Sequence, residues 1–182
     1  MKNLILGGVK SGKSRYAEDY LKDFLLEKGL DENQACLIAT GEALDDGMRS
    51  RIENHKKQRP VSWQIIEEPI NLSFALQEAE KTASIVLIDC LTLWLTNLLM
   101  KEDDVFLQES IDNFLLAVSE CSIELVLVSN ETNMGVMPLG KLTQDYCDKV
   151  GILHQSLAEQ CDRVSLVVAG LPMFLKTPLE QA

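Results

Sequence analysis

The sequence predicts an α/β fold built on a mainly parallel sheet, and two observations carry that expectation. Short runs rich in Val, Ile and Leu alternate with longer segments of helical period, the pattern of repeated strand–helix units. A glycine-rich segment, residues 7–14, falls between the first such run and the first helical segment, as a phosphate-binding loop would.

The apolar runs place strands at 3–6, 35–39, 63–66, 84–89, 124–129 and 164–169, with helices filling the gaps. The helix after the glycine-rich segment, over 13–27, carries Tyr16, Tyr20 and Phe24 at helical spacing, expected in the core, and Gly29 stands as its C-terminal stop. Between 139 and 161, Leu142, Tyr146, Val150, Leu153, Leu157 and Cys161 recur every three or four positions and mark one buried stripe on a long helix. There is no internal repeat, low-complexity tract or linker, and 182 residues suit a single domain spanning 1–182.

Apolar residues at 46% and charged ones at 25% describe a chain that folds in water. The opening MKNLILGG is too short an apolar run for a signal peptide, and the mostly apolar 91–100 stretch is half a bilayer span and interrupted by Thr92, Thr96 and Asn97. No membrane span is expected, and the location expected is the cytoplasm. Five cysteines, Cys36, Cys90, Cys121, Cys147 and Cys161, form no close pair, so neither a zinc site nor a disulfide framework is indicated. Cys36 and Cys90 read as small core residues.

A net charge of -11 repels a nucleic-acid backbone and excludes a general DNA or RNA binder. The cations are nevertheless clustered: Lys10, Lys13 and Arg15 in one segment, Arg49, Arg51, Lys56, Lys57 and Arg59 in another. Such a distribution suits a small polyphosphate held between the two segments, although a solvated helix face explains the second equally well.

Gly7, Gly12, Lys13 and Ser14 match G-x-x-x-x-G-K-[ST], with Gly8, Val9, Lys10 and Ser11 filling the loop. Glycines let backbone N–H groups turn toward phosphate oxygens, and the following helix adds its positive N-terminal end. Lys13 then neutralises the β- and γ-phosphates of a nucleoside triphosphate, and Ser14 is placed to ligate Mg²⁺. The metal also needs an acidic residue at the end of a neighbouring buried strand, and Asp89 closes the run SIVLID. An acidic strand end equally serves to cap a helix, which would begin near Leu91. His55 stands among cations, where the neutral imidazole that a nucleophile needs is favoured; by itself it reads more often as an exposed helix residue.

Five blocks taken together are more specific. GGVKSGKS at the start, IATGE at 38–42, DDGMRSRIENHKKQRP at 45–60, LIDCLTLWLTNLL at 87–99 and VSNETNMGVMP at 128–138 resemble the bifunctional adenosylcobinamide kinase / adenosylcobinamide-phosphate guanylyltransferase family of cobalamin assembly. The resemblance implies a P-loop NTPase fold of the RecA-like kind, with helices flanking the sheet. It implies two reactions: phosphorylation of adenosylcobinamide by ATP or GTP, then transfer of GMP from GTP to adenosylcobinamide phosphate through a guanylylated histidine. His55, a few residues before Arg59 and Pro60, matches the position of that nucleophile. By the same resemblance Thr40, Gly41, Glu42, Lys56, Lys57, Gln58, Arg59 and Glu67 line the nucleotide site, and the assembly is a homotrimer. The carboxylates suit a guanine edge or ribose hydroxyls.

Asn130 and Glu131 fall at the carboxyl end of a predicted strand, where ligands bind in this class, and read either as substrate-positioning groups or as a polar turn. The sequence departs from the family pattern at His154, where asparagine is usual, and in its ending GLPMFLKTPLEQA. Neither departure is expected to touch a chemical motif, and His154 reads as a packing residue. A kinase lacking nucleotidyl transfer is a second reading. A nucleotide-dependent regulatory protein is a third, weakened by the absence of an N-K-x-D base-recognition signature.

Overall fold

Strands buried on both faces read as near-continuous apolar runs, and period-two alternation then sends successive side chains to opposite layers. The computed structural model describes residues 1–41, 62–135 and 139–178 and shows this arrangement. The strands are β1 (Lys2–Gly7), β2 (Ala35–Ala39), β3 (Gln64–Glu67), β4 (Ile85–Asp89), β5 (Glu124–Asn130), β6 (Arg163–Val168) and β7 (Leu171–Lys176). The helices among the described residues are α1 (Lys13–Lys28), α2 (Leu72–Glu80), α3 (Leu91–Leu99), α4 (Asp104–Glu120) and α5 (Lys141–Gln160). All six expected strands are present, each end shifted by at most one residue from its expected place.

The strands form one sheet in the order β3-β2-β4-β5-β1-β6-β7, parallel except for β7. Even-numbered residues of β1, β2 and β4, such as Leu4, Ile38 and Val86, point into a large core with α2, α3, α4 and α5; Trp94 and Phe114 lie at its centre, their rings 4.9 Å apart. Odd-numbered ones, such as Ile5, Leu37 and Leu87, meet Ala17, Leu21 and Leu25 of α1. Each fully buried Leu in these layers contributes roughly 1.5–3 kcal/mol.

Helix ends follow local chemistry. Gly29 terminates α1 at φ 63°, with its N–H and that of Leu30 returning to Leu26 and Leu25 carbonyls. Asp103 caps α4 by accepting from the N–H groups of Val105 and Phe106, at 3.1 and 3.0 Å. No described helix is long and apolar enough to cross a membrane, and the five cysteines are free thiols.

Several expectations are corrected. The buried stripe of α1 is Ala17, Leu21 and Leu25, with Tyr16, Tyr20 and Phe24 only partly buried along its flank. On α5, Val150, Leu153, Leu157 and Cys161 are buried, but Leu142 is 53% exposed because the first turn meets no described layer to pack against. Cys90 follows β4 and stands at the N-cap of α3, half-buried rather than inside a strand. The apolar runs assign no strand to residues 171–176. Those residues form β7, joined to β6 by a tight turn in which Ala169 and Gly170 both have positive φ, 52° and 81°. β7 lies at the sheet edge, where Pro172 removes no ladder bond and apolar residues need not alternate.

Candidate active site

The five strands β1 to β5 run parallel, so their carboxyl ends open on one edge of the sheet, where ligands bind in such folds. At that edge β1 stops at Gly7 and α1 starts at Lys13, with Gly12 as its N-cap at φ 97°. Within the loop the Ser11 N–H donates to the Gly8 carbonyl at 3.2 Å, and Lys10 adopts φ 57°. Two glycines are required by close approach. A Cβ on Gly7 would lie 2.5 Å from Ser11 Oγ and 2.7 Å from the Val167 carbonyl, and one on Gly12 would lie 3.0 Å from Gly170 Cα. Gly8 faces open space. Lys13 Nζ arches back over the loop to the Gly8 carbonyl at 3.2 Å. Ser11 Oγ is buried without a hydrogen-bond partner in the protein, a donor that bound phosphate oxygens would satisfy.

The loop is braced from behind by a residue that sequence reasoning set aside. Gly170, in the β6–β7 turn, donates its N–H to the Ser11 carbonyl at 2.7 Å. The C-terminal segment therefore does touch a chemical motif, because antiparallel pairing returns the chain to the loop.

Asp89 closes β4, and its strand does not neighbour β1 as expected: β5 lies between them. Two strand spacings, about 10 Å in all, separate Asp89's strand from the loop's. That gap suits a carboxylate acting through a hydrated cation rather than touching the lysine. Asp89 does not cap α3, since the N-cap is Cys90 and the cap position makes no side-chain hydrogen bond. Ser14 lies in the first turn of α1 at the same edge. A hydroxyl and a carboxylate are the hard oxygen donors that Mg²⁺ accepts alongside phosphates and water, and no group of three or more candidate metal ligands occurs among the described residues.

Thr40 is fully buried and its hydroxyl is engaged inside the protein. It donates to the Cys90 carbonyl at 2.6 Å and accepts from the Cys90 N–H at 2.9 Å. Asn97 Nδ2 in turn donates to the Thr40 carbonyl at 2.9 Å. Thr40 thus holds the turn that follows Asp89, with Gly41 beside it. The signal for Asn97 was legible, one amide inside the apolar run LTLWLTNLL. Glu67 closes β3 and is exposed, four strand spacings or about 19 Å from the β1 axis. At that distance it can serve the base or ribose end of a nucleotide, not its terminal phosphates. His55, Glu42, Lys56, Lys57, Gln58 and Arg59 lie outside the described residues.

At the end of β5, Asn130 pairs opposite Gly7, and the Glu131 N–H donates to the Gly7 carbonyl at 3.0 Å. The Asn130 N–H donates to Thr92 Oγ1 at 2.8 Å, tying β5 to the start of α3. His154 of α5 is buried, with Nε2 2.8 Å from Ser129 Oγ and Nδ1 4.0 Å from Glu131 Oε2. Burial lowers the His154 pKa, while the Glu131 carboxylate pulls it the other way. The Tyr146 hydroxyl, also buried and without a partner of hydrogen-bond geometry, is pushed up to about 12, chiefly by burial. Burial likewise raises Cys90 to about 11, with Asp89 adding to the effect and Lys13 opposing it. Spacing along the chain gave no signal for Ser129, marked Tyr146 only as part of the α5 stripe, and left His154 as packing alone.

A glycine cradle between strand and helix, an inward lysine and a carboxylate two strands away define a P-loop α/β protein of the class that moves phosphoryl or nucleotidyl groups. The profile of the cobinamide kinase / cobinamide phosphate guanyltransferase family matches residues 3–175, and the chain belongs to that family. It is 46% identical over 176 residues to the bifunctional adenosylcobalamin biosynthesis protein CobP of Pseudomonas aeruginosa, covering 97% of this chain and 98% of that one. It is 33% identical over 186 residues to the bifunctional adenosylcobalamin biosynthesis protein CobU of Escherichia coli, covering 95% and 98%.

Proposed function

We propose that this protein phosphorylates adenosylcobinamide with ATP or GTP and then transfers GMP from GTP to the resulting phosphate, yielding adenosylcobinamide-GDP. The observation that carries the reading is the phosphate cradle at residues 7–14, with its unpartnered Ser11 hydroxyl, in a chain of this family. Both reactions displace a group at phosphorus, so both draw on prepositioned positive charge. Lys13 and the N–H groups at the start of α1 hold the triphosphate and bear the charge that develops on it. Ser14 and Asp89 would hold Mg²⁺, which would supply charge neutralisation to the triphosphate.

For GMP transfer, His55 is the nucleophile. Attack by its ring nitrogen on the α-phosphorus forms a phosphorus–nitrogen bond and releases pyrophosphate; the cobinamide phosphate oxygen then displaces the histidine. Lys56, Lys57 and Arg59 stabilise the departing pyrophosphate, and Glu42, Gln58 and Glu67, with the backbone of Thr40 and Gly41, line the nucleotide site. One domain carries both reactions, the assembly is a homotrimer, and the location is cytoplasmic.

The His55→Ala variant, assayed for each reaction separately, tests this. Loss of GMP transfer with much of the phosphorylation retained is expected, and wild-type protein incubated with labelled GTP should carry acid-labile, alkali-stable label that the variant lacks. Equal loss of both activities would mean that His55 shapes the site rather than attacking GTP.

A further inference from the structure

The phosphorylation step needs a group that holds the acceptor hydroxyl and removes its proton, and neither Lys13 nor a metal-bound Asp89 is suited to that role. Glu131 is differently placed. Its backbone is bonded to the first residue of the phosphate loop, and its strand lies between those of the loop and of Asp89. Its side chain is 16% exposed, so the carboxylate is sheltered yet reachable. One oxygen, Oε1, accepts from the Asn133 N–H at 2.7 Å, which fixes the start of the turn. The other, Oε2, faces His154 at 4.0 Å, beyond hydrogen-bond reach, so it keeps lone pairs for a hydroxyl. Behind it, His154 is locked to the fully buried Ser129 by a 2.8 Å hydrogen bond. The Tyr146 hydroxyl, two turns earlier on α5 and close to Thr92, is buried with no hydrogen bond of good geometry.

We propose that Glu131 receives the hydroxyl of the phosphoryl acceptor and acts as its general base, with the Ser129–His154 pair as positioning residues that back the carboxylate from its buried side. The inference rests on the kinase reading above and deepens it. As the acceptor oxygen bonds to the γ-phosphorus, its proton passes to Glu131 Oε2. The bond from that phosphorus to the β–γ bridging oxygen breaks, and the nucleoside diphosphate leaves with the electron pair. Glu131 returns the proton to water before the next turnover.

The test compares wild type, Glu131→Gln, His154→Leu, His154→Asn and Ser129→Ala in steady-state phosphorylation of adenosylcobinamide by ATP, with nucleotide-dependent thermal stabilisation reporting that each variant is folded. Glu131→Gln should lower kcat by about 10²-fold or more, the range for loss of a general base, with KM for ATP changed little. His154→Leu should lower kcat by roughly tenfold through misplacement of the carboxylate. His154→Asn, which keeps a neutral hydrogen-bonding group beside Ser129, should recover most of that loss. Ser129→Ala should reproduce the Leu variant, and it carries the positioning test if His154→Leu does not fold. A folded Glu131→Gln protein with wild-type kcat overturns the proposal. Leu and Asn variants with equal kcat overturn the positioning part. Wild-type protein that consumes no ATP in response to the acceptor overturns the kinase reading and this inference together.

Discussion

The two ends of the sheet use the same kinds of side chain to opposite effect. At the amino end, the buried Glu124 carboxylate is surrounded by donors: the Met1 ammonium at 2.9 Å, the Tyr20 hydroxyl, and Asn3 Nδ2 at 3.4 Å. That network drives the Tyr20 pKa well upward, first by burial and then by the carboxylate it bonds. At the carboxyl end, among the described residues, Asp89 makes no side-chain hydrogen bond, the Glu131 carboxylate accepts only from its own turn, and the Ser11 hydroxyl is unpartnered. The amino end gathers donors around one buried carboxylate, with Asn3 Oδ1, Trp63 Nε1 and Arg163 Nε left unpartnered there; at the carboxyl end the unpartnered Ser11 hydroxyl lies in the phosphate loop itself, where a ligand would meet it.

Lys13→Ala should break this contrast most severely. Both reactions should fall by about 10²- to 10³-fold, as when one preorganised donor is removed, while the urea midpoint barely moves. An unchanged rate would show that the open end is not the site. Gly12→Ala should come next, because its φ of 97° and the 3.0 Å approach to Gly170 leave a side chain strained. About 1–3 kcal/mol of strain should appear as weaker nucleotide binding in calorimetry, since relief requires the loop to open.

Glu124→Ala should behave in the opposite manner, lowering unfolding free energy by about 1–3 kcal/mol for the donors left unpaired, with kcat per folded molecule unchanged. A fall in kcat would mean that the two ends are coupled through β5. The smallest effect expected concerns thiols. Cys90 at the open end and Cys121 toward the amino end are both raised to about 11, chiefly by burial. A raised pKa keeps each protonated at pH 8, so neither should react with iodoacetamide until the chain is unfolded. Rapid alkylation of Cys90 alone would show that the open end admits solvent more deeply than the structure depicts.

Much of this is legible in the sequence alone. Strands buried on both faces leave apolar runs that need no partner to be recognised, so β1, β2, β4, β5 and β6 were found with nearly correct ends. β7 was missed because an edge strand with Pro172 carries no such pattern. The stripe on α5 was right where a layer covers it and wrong at Leu142, where none of the described layers does. The placement of Lys13 and Ser14 at the start of α1 and of Asp89 at the end of β4 was readable because motif and strand end are local features. The engagement of Thr40 by Cys90, fifty residues away, was not.

By itself, then, the sequence determined the α/β class, the phosphate loop and the family, since each depends on residues within a few positions or on blocks in a set order. Only the tertiary structure decided that β5 separates Asp89 from the loop, that Gly170 braces Ser11, and that Ser129 and His154 stand behind Glu131. Those relations depend on strand order and on hydrogen bonds between distant segments. Spacing along a chain does not encode which of many buried polar groups will meet, because that is settled by how the layers pack.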